Sequence, residues 1–248
     1  MKSTRRIVGL HAAAAALEHM PEKLIAAWLD MQRMDGRIAR LKQELDGLGV
    51  TVHPANRKQL DSLAEGRPHQ GIIVELEMPR ELSEADLQDA LERGAGFFLV
   101  LDHVQDPHNF GACLRTADAA GVQGVIITKD QAVGITPTVA KVASGAAETV
   151  PIYRVTNLAR ALGWLKDSGI WLIGAAGEAS QSLYEVDLNI PLAVVVGAEG
   201  KGLRRLTRER CDFLVKIPMH GQVESLNLSV ATGILLFEAV RQRRRILA

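Results

Sequence analysis

The first segment that could do chemistry follows an apolar run at 97–102 and begins with an Asp-Pro turn. Asn109 lies just after this turn, and Arg115 lies six residues further along a helical pattern that stops at Gly121. We predict that Asn109 caps the helix, because its side-chain oxygen can accept a bond from a free backbone N–H. Free N–H groups and a guanidinium both suit a phosphate, so the spacing predicts a phosphate site at the helix entrance. The alternative is a surface arginine on an ordinary helix.

The second segment is a glycine-rich loop that follows the apolar run 192–197. Its only acid, Glu199, stands among three glycines, of which Gly197 ends the apolar run. The spacing matches neither the dinucleotide-binding pattern G-x-G-x-x-G nor the P-loop pattern, although glycines allow a ligand to approach the backbone closely. Glu199 is therefore either a hydrogen-bonding loop residue or an active-site group. Five basic residues follow within ten positions, and they form either a solvated helix face or an RNA-backbone contact.

The third segment leads from an apolar run at 213–218 into a long helix. Ser225 or Asn227 can cap that helix, and a cap at the carboxyl end of a strand could also meet a substrate. No His or Asp stands at triad spacing in this loop, which argues against Ser225 as an acyl-transfer nucleophile. The histidines and the two cysteines lack the spacing of a metal site, so we predict no metal.

The elements that position these segments form a repeated pattern of strand, loop and helix. Six apolar runs predict strands at 97–102, 124–129, 149–154, 170–175, 192–197 and 213–218. Strands that are apolar on both faces and alternate with helices indicate an α/β domain with a parallel sheet and helices on both faces. Ligands of such sheets bind beyond the carboxyl ends of the strands, which is where all three segments lie.

The N-terminal region has a different texture, which predicts a separate small α+β domain. We expect a strand that runs into an alanine-rich helix over 4–19, a helix over roughly 33–48 and a strand over 69–77. A segment rich in acidic residues then suggests a linker that carries a short polar helix. The predicted division is a domain over 1–78, a linker over 79–95 and the α/β domain over 96–248.

The composition limits the class of protein. The 248 residues are 47% hydrophobic and carry 29 basic and 29 acidic side chains, which is typical of a folded globular protein. No apolar run approaches the roughly 18 residues of a membrane-spanning helix, so we expect no membrane partner. The only two cysteines, Cys113 and Cys211, favour a reducing, cytoplasmic location. An RNA partner would need a local concentration of positive charge.

Taken together, the three segments resemble the three motifs of the SpoU family, the ribose 2′-O-methyltransferases of the SPOUT superfamily. They read D-P-x-N-x-G-x-x-x-R-T-A at 106–117, V-G-A-E-G-x-G-L at 196–203 and I-P-M-x-G-x-V-x-S-L-N-x-S-V-A at 217–231. The three motifs in this order are highly specific. The segments G-L-H-A-A-A-A-A-L at 9–17 and H-Q-G-I at 69–72 look like the ribosomal-protein-like RNA-binding domain of some members.

The resemblance implies a fold and a reaction that the residue pattern alone does not. It implies a homodimer whose C-terminal domain is tied into a trefoil knot, with S-adenosylmethionine held by backbone groups near Gly197, Ile217 and Leu226. The whole layout is similar to members that methylate the ribose of a guanosine in 23S rRNA. The expected function is therefore S-adenosylmethionine-dependent 2′-O-methylation of that rRNA, without a metal.

The resemblance also suggests roles for the polar residues of the three motifs. It gives Arg115 the role of proton acceptor, with an RNA phosphate assisting. Because a guanidinium stays protonated in proteins, Arg115 could instead hold the phosphate beside the target ribose and orient its hydroxyl. The remaining predicted site residues position the reactants by hydrogen bonding: Asn109, Glu199, Ser225 and Asn227.

Three other functions compete with rRNA methylation. The same chemistry could act on tRNA, although a ribosomal-protein-like domain favours rRNA. A non-catalytic RNA-binding or ribosome-assembly protein could keep the fold, but the intact Arg115, Glu199 and Ser225 argue against it. A nicotinamide dehydrogenase lacks support, because neither the glycine fingerprint nor its acidic ribose partner is found.

Overall fold

The computed structural model forms two compact units, Met1–Arg80 and Glu81–Ala248. It describes residues 4–33, 35–77, 81–198, 200 and 202–244. Each unit has a sheet and a hydrophobic core of its own. Within this described part of the chain, no helix combines the length and the apolar character that a membrane crossing requires.

The first unit is a mixed four-stranded sheet with α-helices. Its elements are β1 (Thr4–Val8), α1 (Leu10–His19), β2 (Leu24–Asp30), α2 (Gly36–Gly47), β3 (Thr51–Ala55), α3 (Arg57–Ala64) and β4 (Ile72–Glu77). The strand order is β1-β4-β2-β3, with β4 antiparallel to both of its neighbours and β2 parallel to β3. The strand and alanine-rich helix predicted over 4–19 are confirmed as β1 and α1, and the predicted helix over 33–48 and strand over 69–77 are confirmed with shorter bounds as α2 and β4. The elements β2, β3 and α3 were not predicted.

The helices of the first unit cover the two faces of its sheet unequally. Along β4 the side chains alternate, so that Ile72 and Val74 join the core under α1 and α2, whereas Ile73 points to the other face. On that other face only a small core forms, with Leu60 and Ala64 of α3. The helix α3 therefore covers part of this face and leaves the rest of it open.

The second unit is a seven-stranded sheet with helices on both faces. Its strands are β5 (Phe97–Asp102), β6 (Gly124–Thr128), β7 (Ile152–Val155), β8 (Trp171–Ala175), β9 (Gln181–Ser182), β10 (Leu192–Gly197) and β11 (Phe213–Lys216). Its α-helices are α4 (Glu84–Glu92), α5 (Pro107–Ala119), α6 (Pro137–Ala143), α7 (Ala146–Thr149), α8 (Leu158–Asp167), α9 (Arg205–Arg210) and α10 (Leu228–Arg244). The strand order is β7-β6-β5-β10-β8-β11-β9, and all neighbouring pairs are parallel. The predicted α/β class and parallel sheet are confirmed.

The inner strand β5 shows why helices must cover both faces of the sheet. Phe97, Leu99 and Leu101 pack in a core with residues of α5 and α10. Phe98 and Val100 pack in a second core with residues of α4 and α8. All five side chains are buried, so neither face of this sheet is left to meet a ligand. Only the loops at the strand ends remain for that purpose.

Two local predictions in this unit are wrong. The cap of α5 is Asp106, whose carboxylate accepts bonds from the backbone N–H groups of His108 and Asn109, so that Asn109 lies inside the helix. Pro107 fits the first helical position because it has no N–H to satisfy. The strand predicted at 149–154 begins only at Ile152, since the residues before Pro151 form the short helix α7.

The segment predicted as a linker over 79–95 also differs in the structure. Its residues from 81 onward belong to the second unit. The backbone of Leu82 bonds with Ile152 and Arg154 beside β7. Leu87 and Leu91 of α4 are buried in the core under Phe98. A helix with an apolar face packs on the sheet here, so these residues form part of the folded unit.

Candidate active site

A cavity of about 480 Å³ opens at the carboxyl ends of the neighbouring strands β10, β8 and β11. Its walls come from the loops that leave these strands and from the start of α10. The described lining residues come from five segments: 175–178 after β8; 196–198, 200 and 202–203 after β10; 208 in α9; 215–217 and 219 after β11; and 224–226, 228 and 231 before and within α10. The second and third motifs therefore meet in one cavity, as the parallel sheet predicts.

The loop after β10 folds back on its own strand and needs a glycine to do so. A Cβ added at Gly197 would overlap the backbone of Gly202 and Leu203. The backbone N–H of Gly202 donates to the carbonyl oxygen of Ala198 at 2.9 Å, which closes the loop. Gly202 itself has a φ of +63°, a conformation that glycine adopts without strain. This wall of the cavity is therefore backbone rather than side chain.

A buried carboxylate anchors the end of the same loop. Asp102 ends β5, directly opposite Gly197 in the sheet, and its side chain is fully buried. Its carboxylate oxygens accept the backbone N–H of Arg204 at 3.1 Å and the Nε–H of Arg204 at 2.9 Å. The Nδ1 atom of His103 lies 2.8 Å from the same carboxylate. We did not predict this contact, although an acid at the end of an apolar run was a visible signal.

The first and third motifs meet where α5 and α10 pack together. The Asn227 side chain donates from Nδ2 to Oδ1 of Asn109 at 2.9 Å, and its own Oδ1 accepts the backbone N–H of Ser229. Asn227 is therefore the predicted cap of α10. Cys113 of α5 lies 3.6 Å from the Thr232 hydroxyl of α10, and burial raises the pKa of its thiol to about 12. A thiol that stays protonated packs this junction and is not a nucleophile.

The predicted site residues occupy three kinds of position. The cavity is lined by Gly197, Ile217, Ser225 and Leu226. Asn109 and Asn227 lie at the helix junction, outside the described lining of the cavity. Arg115 is exposed on α5, where its Nη1 donates to the Ser144 hydroxyl at 3.4 Å, and it does not line the cavity either. Glu199 lies outside the described residues.

A charged pair in the cavity wall was not predicted. Glu178 follows β8, Arg208 belongs to α9, and the two side chains form an ion pair. The signal was available, because the run 170–175 is a predicted strand and its carboxyl end opens to the same edge of the sheet. Among the residues that the structure describes, no group of three His, Cys, Asp or Glu side chains could hold a metal ion.

Comparisons with known proteins identify the family. Residues 96–237 match the model of the SpoU rRNA Methylase family. The chain belongs to this family. Residues 6–82 match a second model, described as RNA 2'-O ribose methyltransferase substrate binding. The resemblance seen in the three motifs is thus confirmed over most of the chain.

Similar proteins are found along the whole chain. The 23S rRNA (guanosine-2'-O-)-methyltransferase RlmB of Shewanella oneidensis is 54% identical, over 98% of this chain and 100% of the relative. An AdoMet-bound rRNA methyltransferase from Sinorhizobium meliloti has a TM-score of 0.75 at 25% identity, over 99% of this chain and 88% of that chain. The AdoMet complex of the SpoU methyltransferase AviRb from Streptomyces viridochromogenes has a TM-score of 0.76 at 25% identity, over 97% of this chain and 91% of that chain.

Proposed function

We propose that this SpoU protein transfers a methyl group from S-adenosylmethionine to the ribose 2′-oxygen of a guanosine in 23S rRNA. The observation that carries the proposal is the meeting of the second and third motifs in one cavity, with the first motif joined to the third beside it. The high identity to a relative named as a 23S rRNA methyltransferase supports the choice of RNA.

The cavity fits the methyl donor. Its volume of about 480 Å³ is in the range of cofactor sites, and the glycine loop offers backbone groups at close range. Backbone groups near Gly197, Ile217 and Leu226 would hold the donor, and Asp102 keeps the loop after β10 in place through Arg204. When bound, the donor supplies an electrophilic methyl group on a sulfonium.

Arg115 is suited to hold RNA. Its guanidinium is exposed and permanently charged, so it can bind the phosphate beside the target ribose. As the 2′-oxygen bonds to the methyl carbon, the bond between that carbon and the donor's sulfur breaks, and its electron pair stays on the sulfur. The proton must leave the 2′-oxygen, and a phosphate oxygen held by Arg115 can accept it. Hydrogen bonds from the other predicted residues orient the hydroxyl: Asn109, Glu199, Ser225 and Asn227.

We propose that the chain has the knotted SPOUT topology that the family resemblance implies and forms a homodimer, and exposed residues of α10 support the dimer. Val230 and Phe237 are 50% and 47% exposed, and their spacing puts them on one face of α10. Arg115 stands outside the cavity of its own chain, so we propose that a second copy packs against α10 and brings its Arg115 to this cavity.

Two unpaired cysteines, Cys113 and Cys211, support a cytoplasmic location.

The two family matches suggest different roles for the two regions of the chain. We propose that residues 1–78 bind the RNA substrate and that residues 96–248 carry out methyl transfer, with the donor cavity wholly in the second unit.

The experiment that tests the function is methyl transfer from labelled donor to unmethylated RNA. The purified chain should label a 23S rRNA transcript at one guanosine ribose and leave tRNA transcripts unlabelled. Labelling of tRNA alone would favour the tRNA enzyme. The absence of any heat of donor binding in titration calorimetry would favour the non-catalytic RNA-binding protein.

A heterodimer experiment tests the shared site. Chains with Arg115→Ala and Gly197→Ala, carrying different tags, are co-expressed, and the mixed dimer is isolated. If Arg115 serves the cavity of the partner, one of two sites is intact and about half of the wild-type activity returns. If each chain uses its own Arg115, the mixed dimer stays inactive like both parent variants, and the shared site is wrong.

A further inference from the structure

The open part of the sheet in the first unit carries a cluster of aromatic and cationic side chains. Trp28 of β2 and His53 of β3 are direct neighbours in the sheet, and their rings stack with centroids 5.4 Å apart at an angle of 24°. The guanidinium carbon of Arg6, on β1, lies 5.7 Å from the centre of the Trp28 ring. Three strands thus place two rings and one cation side by side.

The cluster is held in place on one side and accessible on the other. Trp28 is half-buried and packs, with Val8 and Leu63, against the small core under α3. His53 and Arg6 are exposed. A ring that is fixed by packing loses little freedom when it binds a ligand, because its orientation is already set.

We propose that Trp28, His53 and Arg6 form a stacking platform for an unpaired base of the RNA substrate. The proposal rests on the proposed function and assigns part of its RNA contact to residues that the three motifs do not include. Every base has a flat face that can stack on an aromatic ring, and a neighbouring arginine adds a contact to the base or its phosphate.

The surroundings favour RNA over a protein partner. The neighbours of the platform are polar: Thr4 and Thr51 are exposed, and Glu75 lies 3.9 Å from Nε of Arg6. Such a small apolar area is too little for a stable protein interface, which needs a large buried surface. Two rings with an adjacent cation suffice for one nucleotide. All three platform residues lie in the segment that matches the substrate-binding family.

Tryptophan fluorescence can test the platform directly, because the chain has only three tryptophans. The double variant Trp164→Phe/Trp171→Phe keeps Trp28 as the single emitter. Titration with an unstructured oligoadenylate of about ten nucleotides should quench its emission, since a stacked base quenches the indole. In the control Trp28→Phe/Trp164→Phe, only Trp171 emits; it stacks on Phe213 at 5.6 Å and is 45% exposed. Its emission should not change.

Affinity measurements complete the test. Trp28→Leu, which retains apolar packing, and His53→Ala should each weaken rRNA binding about tenfold. Arg6→Gln should reduce the slope of log affinity against log salt by about one. The KM for rRNA should rise in these variants, while kcat and the affinity for the donor stay at wild-type values.

Two results would overturn the platform. One is an unquenched Trp28 in a protein that binds the oligonucleotide, or equal quenching of Trp171. The other is wild-type rRNA affinity in a stably folded Trp28→Leu chain. Either result leaves the methyltransferase function intact, whereas a wild-type chain that methylates no RNA refutes the function itself.

Discussion

The two sheets of this protein are covered differently, and the positions of the two candidate sites follow from that. The parallel sheet of the second unit is buried on both faces, so only the loops at its strand ends can meet a ligand. The mixed sheet of the first unit has α1 and α2 on one face but only α3 on part of the other. Its accessible groups are therefore side chains on a face. The second unit therefore presents backbone groups at the strand ends of its sheet, whereas the first unit presents aromatic rings on a face of its sheet.

The largest expected effect comes from replacing Gly197, at the end of β10, with alanine. Gly197→Ala places a Cβ into the backbone of Gly202 and should weaken donor binding about 100-fold or more. The matched control is Gly177→Ala, which lines the same cavity, has no atom within 4 Å of the added Cβ, and has no positive φ. Titration calorimetry measures both affinities. Equal affinities in the two variants would mean that the donor does not need the backbone of Gly197.

The next largest effect should lower methyl transfer to RNA without changing the affinity for the donor. Arg115→Ala should lower methyl transfer by about 10²- to 10³-fold, because it removes a charge that is needed at the reacting group. Donor affinity should stay unchanged, since the proposed contact of Arg115 is with the RNA phosphate and not with the donor. Arg93→Ala, another exposed arginine but at the amino end of β5, is the control and should be fully active. Methyl transfer at the wild-type rate in Arg115→Ala would remove Arg115 from the site.

A smaller effect is expected at Asp102, which anchors the loop after β10. Asp102→Asn puts an amide N–H group where two acceptor oxygens now serve Arg204 and His103. We expect a loss of about 1–3 kcal/mol in the free energy of unfolding, because a buried polar group loses its partner. Donor affinity should fall about tenfold, with kcat less affected.

The control for the anchor is the exposed Asp167 at the end of α8, whose change to Asn should alter neither quantity. Urea unfolding and donor titration measure both variants. Unchanged donor affinity in Asp102→Asn would show that the loop after β10 holds its shape without the anchor.

The sequence predicted the edge of the parallel sheet well, because the information there is local. Apolar runs mark the buried strands, and the loop composition marks the strand ends where Ser225 lies. The resemblance to the SpoU motifs singled out Gly197, Ile217 and Leu226, and all four residues line the cavity. The wrong cap of α5 has a local cause: Asp106 and Asn109 can both cap a helix, and sequence periodicity does not choose between them.

The first unit was less predictable for a physical reason. The strand β3 contains His53 and Pro54, which are unusual in a central strand but tolerated at the edge of a sheet, where β3 lies. The platform needs the register between β2 and β3 and also the position of β1, which is separated from β2 by β4, and no local pattern encodes such an arrangement. The contact between Arg204 and Asp102 also joins residues that are far apart in the sequence, and for the same reason no local pattern predicts it.

The smallest expected effect is a pH dependence of stability that should be confined to the second unit. Burial raises the pKa of Cys113 and of Cys211 to about 12, and the chain has no other cysteine. A thiol whose pKa is higher in the folded than in the unfolded state contributes stability below the unfolded pKa. It loses that contribution as the pH rises toward the folded value, because the unfolded thiol ionises first.

Between pH 8 and pH 9.5 the free energy of unfolding should therefore fall by about 1 kcal/mol per thiol. The double variant Cys113→Ala/Cys211→Ala should lack this part of the pH dependence, and the difference between the two proteins removes the contribution of lysines and tyrosines. The emission of Trp171 as the single tryptophan, in the background Trp28→Phe/Trp164→Phe, follows the second unit in urea, while the emission of Trp28 as the single tryptophan follows the first. If the fall in stability appeared equally in both signals, the two units would unfold as one, and the contrast between their sheets would not extend to their stability.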